Sequence, residues 1–386
     1  MKTITVLTAT RAEYGLLSPI IKALKECPEI CTKVVVTGAH LSPEFGLTYQ
    51  EIEKDGIEID KKIEILLSSD TPSAISKSMG MAMIGFADYF AELKPDALLV
   101  LGDRYETLAV CCAAMNERIP IIHLYGGETT EGAVDEGIRH AITKLSYIHL
   151  TSTDEYRRRV IQLGESPDRV FTVGAIGIEN ALKQLLLTKE ELENSINVKL
   201  DKQYAIVTFH PVTLEDTSAA EQCRELLSAL EVHPELTFII TKANADADGR
   251  VINKMFEEYA NSHSNVKVFE SLGAKRYLSA LKYAKMVIGN SSSGLVEAPS
   301  FGIPTINIGD RQKGRLKASS VIDCKPQKED ILKGMRIAGS DEFVKSLSKT
   351  INPYGDGNTS KKITKIIVNF MKESIDLKKT FYNIEF

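Results

Sequence analysis

Short runs of apolar, often β-branched residues alternate along this chain with longer stretches in which apolar side chains recur every three to four positions. That alternation is the mark of parallel strands joined by crossover helices. In the first half the pattern predicts strands at 4–8, 34–37, 97–101, 119–124 and 147–151, each followed by a helix or a turn. The run FTVGAIG at 171–177 closes this series. After a charged, helix-like stretch a second series opens at 204–209 and continues at 236–241, 266–269, 286–289 and 305–308. The expected fold class is therefore α/β, with two doubly wound, Rossmann-like domains facing a central cleft. The predicted organisation is an N-terminal domain over 1–175, a second over 176–358, and a helical tail over 359–386. In the tail, Ile363, Ile366, Ile367, Phe370 and Met371 fall on one helical face, which is predicted to pack back on the first domain. Open α/β sheets bind ligands beyond the carboxyl ends of their strands, so the polar residues at those ends are the ones to read.

Length and composition agree with that picture. The 386 residues exceed one ordinary core and suit two domains. Hydrophobic residues at 43% and charged residues at 26% describe a globular body. A net charge of −5 supplies no basic field, which argues against nucleic acid or an anionic membrane as a partner, so any anion must be bound locally. The start MKTITVLTAT runs into strand-like alternation without a signal-peptide pattern, and no window approaches the roughly 20 apolar residues of a membrane span. Cytoplasmic location is the resulting expectation. The six cysteines are scattered, with no spacing that suggests zinc, and Cys111 and Cys112 sit among small apolar residues as helix packing. Neither GxGxxG nor a Walker A motif occurs, so no NAD or ATP cofactor is indicated.

Six strand ends carry candidate chemistry. The first reads Thr8-Ala9-Thr10-Arg11-Ala12-Glu13-Tyr14-Gly15, with a helix expected from about residue 16. Arg11 can meet a diphosphate beside a helix N-terminus, although a surface arginine capping its own loop fits the same residues. Next, the buried run 98–101 passes directly into Gly102-Asp103-Arg104, where Arg104 suits a phosphate and Asp103 a base, or a helix cap. The third reads His123-Leu124-Tyr125-Gly126-Gly127-Glu128 and soon reaches Asp135-Glu136 with Arg139 and His140 one turn on. Several carboxylates converging there could remove one proton and supply another, while an acidic helix start stabilised by its dipole is the plainer account of Asp135. In the second half, His210 stands at the exit of the 204–209 strand, where an imidazole can meet a hydroxyl or phosphate. The last block, Gly289-Asn290-Ser291-Ser292-Ser293-Gly294 with Glu297 and Arg311 beyond it, suits a pyrophosphate on hydroxyls and amides and a ribose on the glutamate. Asn244 and Asp246 follow another strand end and could line the same cleft.

Taken in order, TRAEYG, GDR, the GGE loop, DEGIRHAITKLS, FHPVT, GNSSSG with its following glutamate, and RQKGR resemble the UDP-N-acetylglucosamine 2-epimerases over nearly the whole chain. That family shares the two-domain architecture of GT-B glycosyltransferases. Its non-hydrolysing branch carries HxEAGLR and HRREN segments, where this chain has HLYGGETTEG and HPVTLE, so the resemblance is to the hydrolysing branch. By resemblance, Asp103, Glu128 and Glu136 fall on catalytic carboxylates, and His210 and His140 on functional histidines. Arg11, Arg104, Asn244, Ser291, Ser292, Glu297 and Arg311 fall on positions that hold UDP. The implied reaction converts UDP-N-acetylglucosamine and water into UDP and N-acetylmannosamine for sialic-acid biosynthesis, without metal or cofactor, in a dimer or tetramer. The nucleotide motifs suit equally a UDP-linked 2,4-diacetamido-2,4,6-trideoxy-hexose. A GT-B glycosyltransferase, for whose acceptor the carboxylate set of the first half is more than required, and a nucleotide-sugar sensor that binds without turnover are the more distant rivals.

Overall fold

The structure, a computed structural model, describes residues 1–67, 71–129, 134–183, 185–211, 218–243, 249–373 and 375–385. The chain divides into two compact units, Met1–Asn180 with Tyr354–Phe386, and Ala181–Pro353.

In the first unit the apolar runs become seven parallel strands: β1 (Lys2–Thr8), β2 (Ile30–Thr37), β3 (Lys61–Ile63), β4 (Ala97–Leu101), β5 (Ile121–Leu124), β6 (Ile148–Thr151) and β7 (Val170–Thr172). They hydrogen-bond in the order β3-β2-β1-β4-β5-β6-β7. The central strand β4 is buried along its whole length, as a strand covered on both faces must be. One face carries a core of Ile4, Val6, Leu99 and Leu124 against the helix Arg11–Lys25. The other carries Leu98, Val100 and Ile121 against the helices Pro72–Leu93 and Tyr105–Asn116. The helix Thr359–Lys372 returns to this unit, with Ile363, Ile367, Phe370 and Met371 in the same core as Leu17, Ile20 and Leu24. Each such buried aliphatic side chain stabilises the fold by roughly 1.5–3 kcal/mol relative to exposure.

The second unit repeats the plan with β8 (Tyr204–Thr208), β9 (Thr237–Thr241), β10 (Val266–Phe269), β11 (Met286–Gly289), β12 (Thr305–Ile308) and β13 (Val321–Cys324), in the order β10-β9-β8-β11-β12-β13. Both sheets are doubly wound, as the alternation of strand and helix patterns predicts, and both reverse direction of winding between their first and fourth strands.

Three local expectations are corrected. The run 171–177 is not one strand: β7 ends at Thr172, Gly174 takes a left-handed φ of 93°, and the helix Ile176–Lys183 begins at once. The first helix starts at Arg11 rather than near residue 16, because Thr10 and Glu13 form a reciprocal capping box. The edge strands β3 and β13 were not expected, since β3 opens on two exposed lysines and β13 is a four-residue, only half-buried run. Among the described residues, no helix is long and apolar enough to cross a membrane.

Candidate functional site

In the first unit, β1 and β4 lie side by side at the point where the winding reverses, so the loops leaving their carboxyl ends diverge and open a crevice. The loop after β1 is pinned by its capping box. Thr10 Oγ1 accepts from Glu13 N at 3.3 Å, and Glu13 Oε2 accepts from Thr10 N at 3.1 Å and Ala9 N at 2.7 Å. Arg11 is the first helical residue, two-thirds exposed, with its Nε 3.2 Å from Glu51. Glu13 is buried beneath, and burial is the main cause that pushes its carboxyl up to about 7.

The loop after β4 turns at Gly102, whose φ of 77° is left-handed. Arg104 follows, its Nε held at 2.5 Å by Glu106, which is almost fully buried. Asp103 points the other way in the network and pairs with Arg139 of the helix Val134–Leu145. Arg139 gathers the rest of the cluster: its Nη1 donates to the backbone carbonyl of Glu128 at 2.7 Å and to Glu136 Oε2 at 3.1 Å. Glu136 Oε1 lies 3.1 Å from His140 Nε2, one turn along the same helix. Glu128 Oε1 accepts from Ser152 Oγ at 2.8 Å. Desolvation, and then the charge of Asp103, push the Asp135 carboxyl up.

Asp103 and Glu128, named from the sequence at strand exits, and Glu136 and His140, named at the start of the following helix, are thus brought into one hydrogen-bonded group, Glu128 through its backbone carbonyl. Arg139 and Ser152 belong to it and were not among the predicted site residues. The spacing of Arg139 from Glu136 was a signal that could have found it; nothing in the sequence marked Ser152. The loop that carries Glu128 is also shaped by its own residues. Tyr125 adopts a left-handed φ of 68°, uncommon for a side chain of that size, and its phenolic oxygen accepts from Ile176 N at 2.8 Å. Gly127 is left-handed too, and a Cβ there would collide with the Tyr156 carbonyl.

In the second unit β8 and β11 are the adjacent strands at the reversal. Asn290, fully buried after β11, ties the loops together. Its Oδ1 accepts from His210 N at 2.7 Å, its Nδ2 donates to His210 O at 2.8 Å, and its own carbonyl accepts from Arg311 Nη1 at 3.1 Å and Gln312 Nε2 at 2.9 Å. His210 and Arg311, 101 positions apart in number, are therefore set by one side chain and one carbonyl. Ser291 and Ser292 lead into the short helix Ser293–Val296, with Ser291 Oγ accepting from Ser293 N at 3.4 Å. Glu297 directly follows that helix, and burial pushes its carboxyl up to about 7. Asn244, Asp246, residues 130–132 and residues 212–215 lie outside the described residues.

Chemically, the first unit offers carboxylates and a guanidinium arranged for proton transfer, and the second offers hydroxyls, a cation and a buried acid suited to a nucleoside diphosphate. Known proteins are similar to this chain over most of their length. The family model described as UDP-N-acetylglucosamine 2-epimerase matches residues 22–368. A GDP/UDP-N,N'-diacetylbacillosamine 2-epimerase (hydrolyzing) of Campylobacter jejuni is 44% identical over 321 residues, covering 83% of each chain. A polysialic acid biosynthesis protein of Escherichia coli is 41% identical over 385 residues, 100% of this chain and 98% of its own. The crystal structure of UDP-GlcNAc 2-epimerase from Neisseria meningitidis bound to UDP-GlcNAc superposes with a TM-score of 0.76 at 22% identity, over 96% of this chain and 100% of that one, which places the fold among the GT-B-like epimerases. With the family model spanning most of the chain and relatives above 40% identity, the protein belongs to the UDP-N-acetylglucosamine 2-epimerase family.

Proposed function

We propose that this chain is a hydrolysing 2-epimerase of a UDP-linked 2,4-diacetamido-2,4,6-trideoxy-hexose, releasing UDP and the free sugar inverted at C2. The observation that carries the reaction type is the pair of carboxylates Asp103 and Glu136 on Arg139, with the Glu128 loop held to the same guanidinium through its backbone carbonyl. The substrate reading is supported by the 44% identical relative, whose name specifies a diacetylated bacillosamine and hydrolysis. A second reading, UDP-N-acetylglucosamine to N-acetylmannosamine for sialic-acid biosynthesis, draws on the E. coli polysialic acid relative, which is similar over the whole chain.

The chemistry is the same for either sugar. The C2 hydrogen is a very weak acid, so its removal is practicable only as the C1–O bond to UDP breaks and the electron pair leaves with the diphosphate. A carboxylate of the group takes the proton, and a 2-acetamido glycal remains. Water then adds its oxygen to C1 while a proton is delivered to C2 from the opposite face, which inverts that centre. In the second unit, Ser291, Ser292 and Arg311 receive the charge that grows on the leaving diphosphate, Glu297 accepts from the ribose, and His210 stands with them. Arg11 and Arg104 are proposed phosphate contacts of the first unit, Asn244 a nucleotide contact of the second.

The test is incubation with each UDP-sugar in D₂O with a chelator and no acceptor, followed by proton and phosphorus NMR. Free UDP with a C2-deuterated, C2-inverted sugar is expected from the diacetamido substrate. Turnover of UDP-N-acetylglucosamine alone would move the protein to the second reading, and intact substrates in both tubes would reject the catalytic reading.

A further inference from the structure

We infer that His123 is a positioning residue for the candidate carboxylate cluster, an internal spacer whose ring holds three segments at one separation: the Asp103 turn, the Glu128 loop and the Arg139 helix. It lies at the third position of β5 and is completely buried. Alternation along an apolar strand makes such a histidine look like ordinary core, but its contacts are not those of core packing. Its Nε2 is 2.8 Å from the carbonyl oxygen of Gly102, the residue before Asp103. A carbonyl oxygen only accepts, so Nε2 carries the ring proton and Nδ1 is left with a lone pair. Nδ1 lies 3.3 Å from Thr143 Oγ1, whose single proton goes either to Nδ1 or to the carbonyl of Arg139, 3.0 Å away and one turn back on the same helix. The third contact needs a glycine. A Cβ on Gly126, two residues before Glu128, would stand 3.2 Å from His123 Nδ1 and 3.1 Å from Thr143 Oγ1, tighter than side chains ordinarily pack.

One ring therefore stands at hydrogen-bond distance from the Asp103 turn and the Arg139 helix, and leaves room for no side chain at Gly126 of the Glu128 loop. Burial is the main cause that pushes the imidazole down to about 3, with the charge of Arg139 acting in the same direction. Burial holds the ring neutral, so its part is geometric rather than proton transfer. Rigid spacing matters because a misplacement of about 1 Å in a proton-transfer site costs on the order of 100-fold in rate.

The kinetic half of this inference rests on the proposed epimerase reaction; the geometric half does not. His123→Gln keeps an N–H that can reach the Gly102 carbonyl, whereas His123→Phe keeps the volume and leaves that carbonyl unpaired. With the UDP-sugar that the wild type turns over, H123F is expected to lose about 100-fold in kcat with KM changed by less than about threefold, and H123Q to recover at least about tenfold of that loss. Equal kcat in H123F and H123Q, or wild-type kcat in H123F, overturns the inference. Should H123F not fold, as melting by circular dichroism would reveal, Thr143→Val takes its place, with about a tenfold fall in kcat at unchanged KM expected and no fall overturning it. Independently of turnover, ¹⁵N-histidine spectra of the wild type, assigned by H123Q, should show one ring protonated at Nε2 alone and constant from about pH 5 to pH 8. A His123 signal that titrates in that range, or carries its proton on Nδ1, overturns the geometry. A wild type that shows the expected ring signal but turns over no UDP-sugar would reject the epimerase reading and leave the spacer geometry standing.

Discussion

Arg139 and Asp103 form an ion pair that joins the helix Val134–Leu145 to the turn after β4. The arginine side chain is only 6% exposed while the aspartate keeps 26%, so the pair fixes the carboxylate without enclosing it. Lysine would supply one point charge, unable to serve Asp103, Glu136 and the Glu128 carbonyl together. Arg139→Lys is therefore expected to lower kcat about 100-fold and stability by about 1–2 kcal/mol, and Arg139→Met to lower stability by about 3 kcal/mol, since it leaves two carboxylates without their cation. Steady-state UDP release and denaturant unfolding of both variants check this; an R139K variant with wild-type kcat would remove Arg139 from its organising role.

Glu297 supplies a pH test of nucleotide binding. Its folded pKa of about 7 lies above the ordinary value of 4.5. Its contribution to stability is therefore full below about pH 4.5 and is lost as pH rises through about 7. An ionised carboxylate is the stronger acceptor for ribose hydroxyls, so UDP affinity should rise between about pH 6 and pH 8 more steeply in the wild type than in Glu297→Gln, which lacks that ionisation. Glu297→Ala should weaken UDP by about 10- to 100-fold at pH 8. Calorimetric titrations across pH, compared between wild type and E297Q, decide it: parallel curves would mean that Glu297 does not ionise against the ribose.

How much of this was legible beforehand follows from which interactions are local. The buried central strands announce themselves through unbroken apolar runs such as 98–101, whereas β3, with Lys61 and Lys62 exposed, reads as loop because an edge strand must be blunted with charge. The start of the first helix was written in Thr10 and Glu13, but apolar spacing points to a later turn than the capping box does. Asp103, Glu128 and Glu136 were legible as residue types at strand exits. The i,i+3 spacing of Arg139 from Glu136 was local and legible, but its pairing with Asp103 was not, because it spans 36 positions and exists only once β4 and β5 are neighbours. His123 was hidden for the same reason, its partners Gly102 and Thr143 lying on either side of it in sequence at about twenty residues' distance.

Two glycines of the serine-rich block should respond very differently to one methyl group. Gly289 ends β11 with a φ of 134°, and a Cβ there would penetrate the Thr208 carbonyl of the adjacent strand β8. Gly302 has a φ of 65° and open space around its missing Cβ. Gly289→Ala is expected to cost more than about 4 kcal/mol, enough to deplete folded protein, while Gly302→Ala costs about 1 kcal/mol from its backbone alone. Soluble yield and thermal melting compare the two, and equal melting temperatures would contradict the close approach of β8 and β11.

The C-terminal segment offers the last test, through a carboxylate with three basic neighbours. Glu165 is almost fully buried, and its oxygens lie 2.6 Å from Lys144 Nζ, 2.7 Å from Lys379 Nζ and 3.0 Å from His149 Nε2. Burial opposes the charge, but hydrogen bonds from His149, Lys144 and Lys379 outweigh it and hold the carboxyl down to about 2. A depressed acid stabilises the fold above its ordinary value of 4.5 and loses that contribution as pH falls through about 2. Lys379 belongs to a segment without regular secondary structure, also held by Tyr382 N donating to Gly164 O at 2.9 Å. Lys379→Met keeps most of the aliphatic stem and removes the charge, so it should destabilise the protein by about 2 kcal/mol at pH 7. That difference should shrink as pH is lowered from about 4.5 toward 2, because protonating Glu165 removes the ion pair from the wild type as well. Urea unfolding of both proteins at a series of pH values measures it. A difference that stays constant down to about pH 3 would assign the effect instead to the bonds Lys379 Nζ donates to the carbonyls of Lys144 and Ser146, which do not titrate.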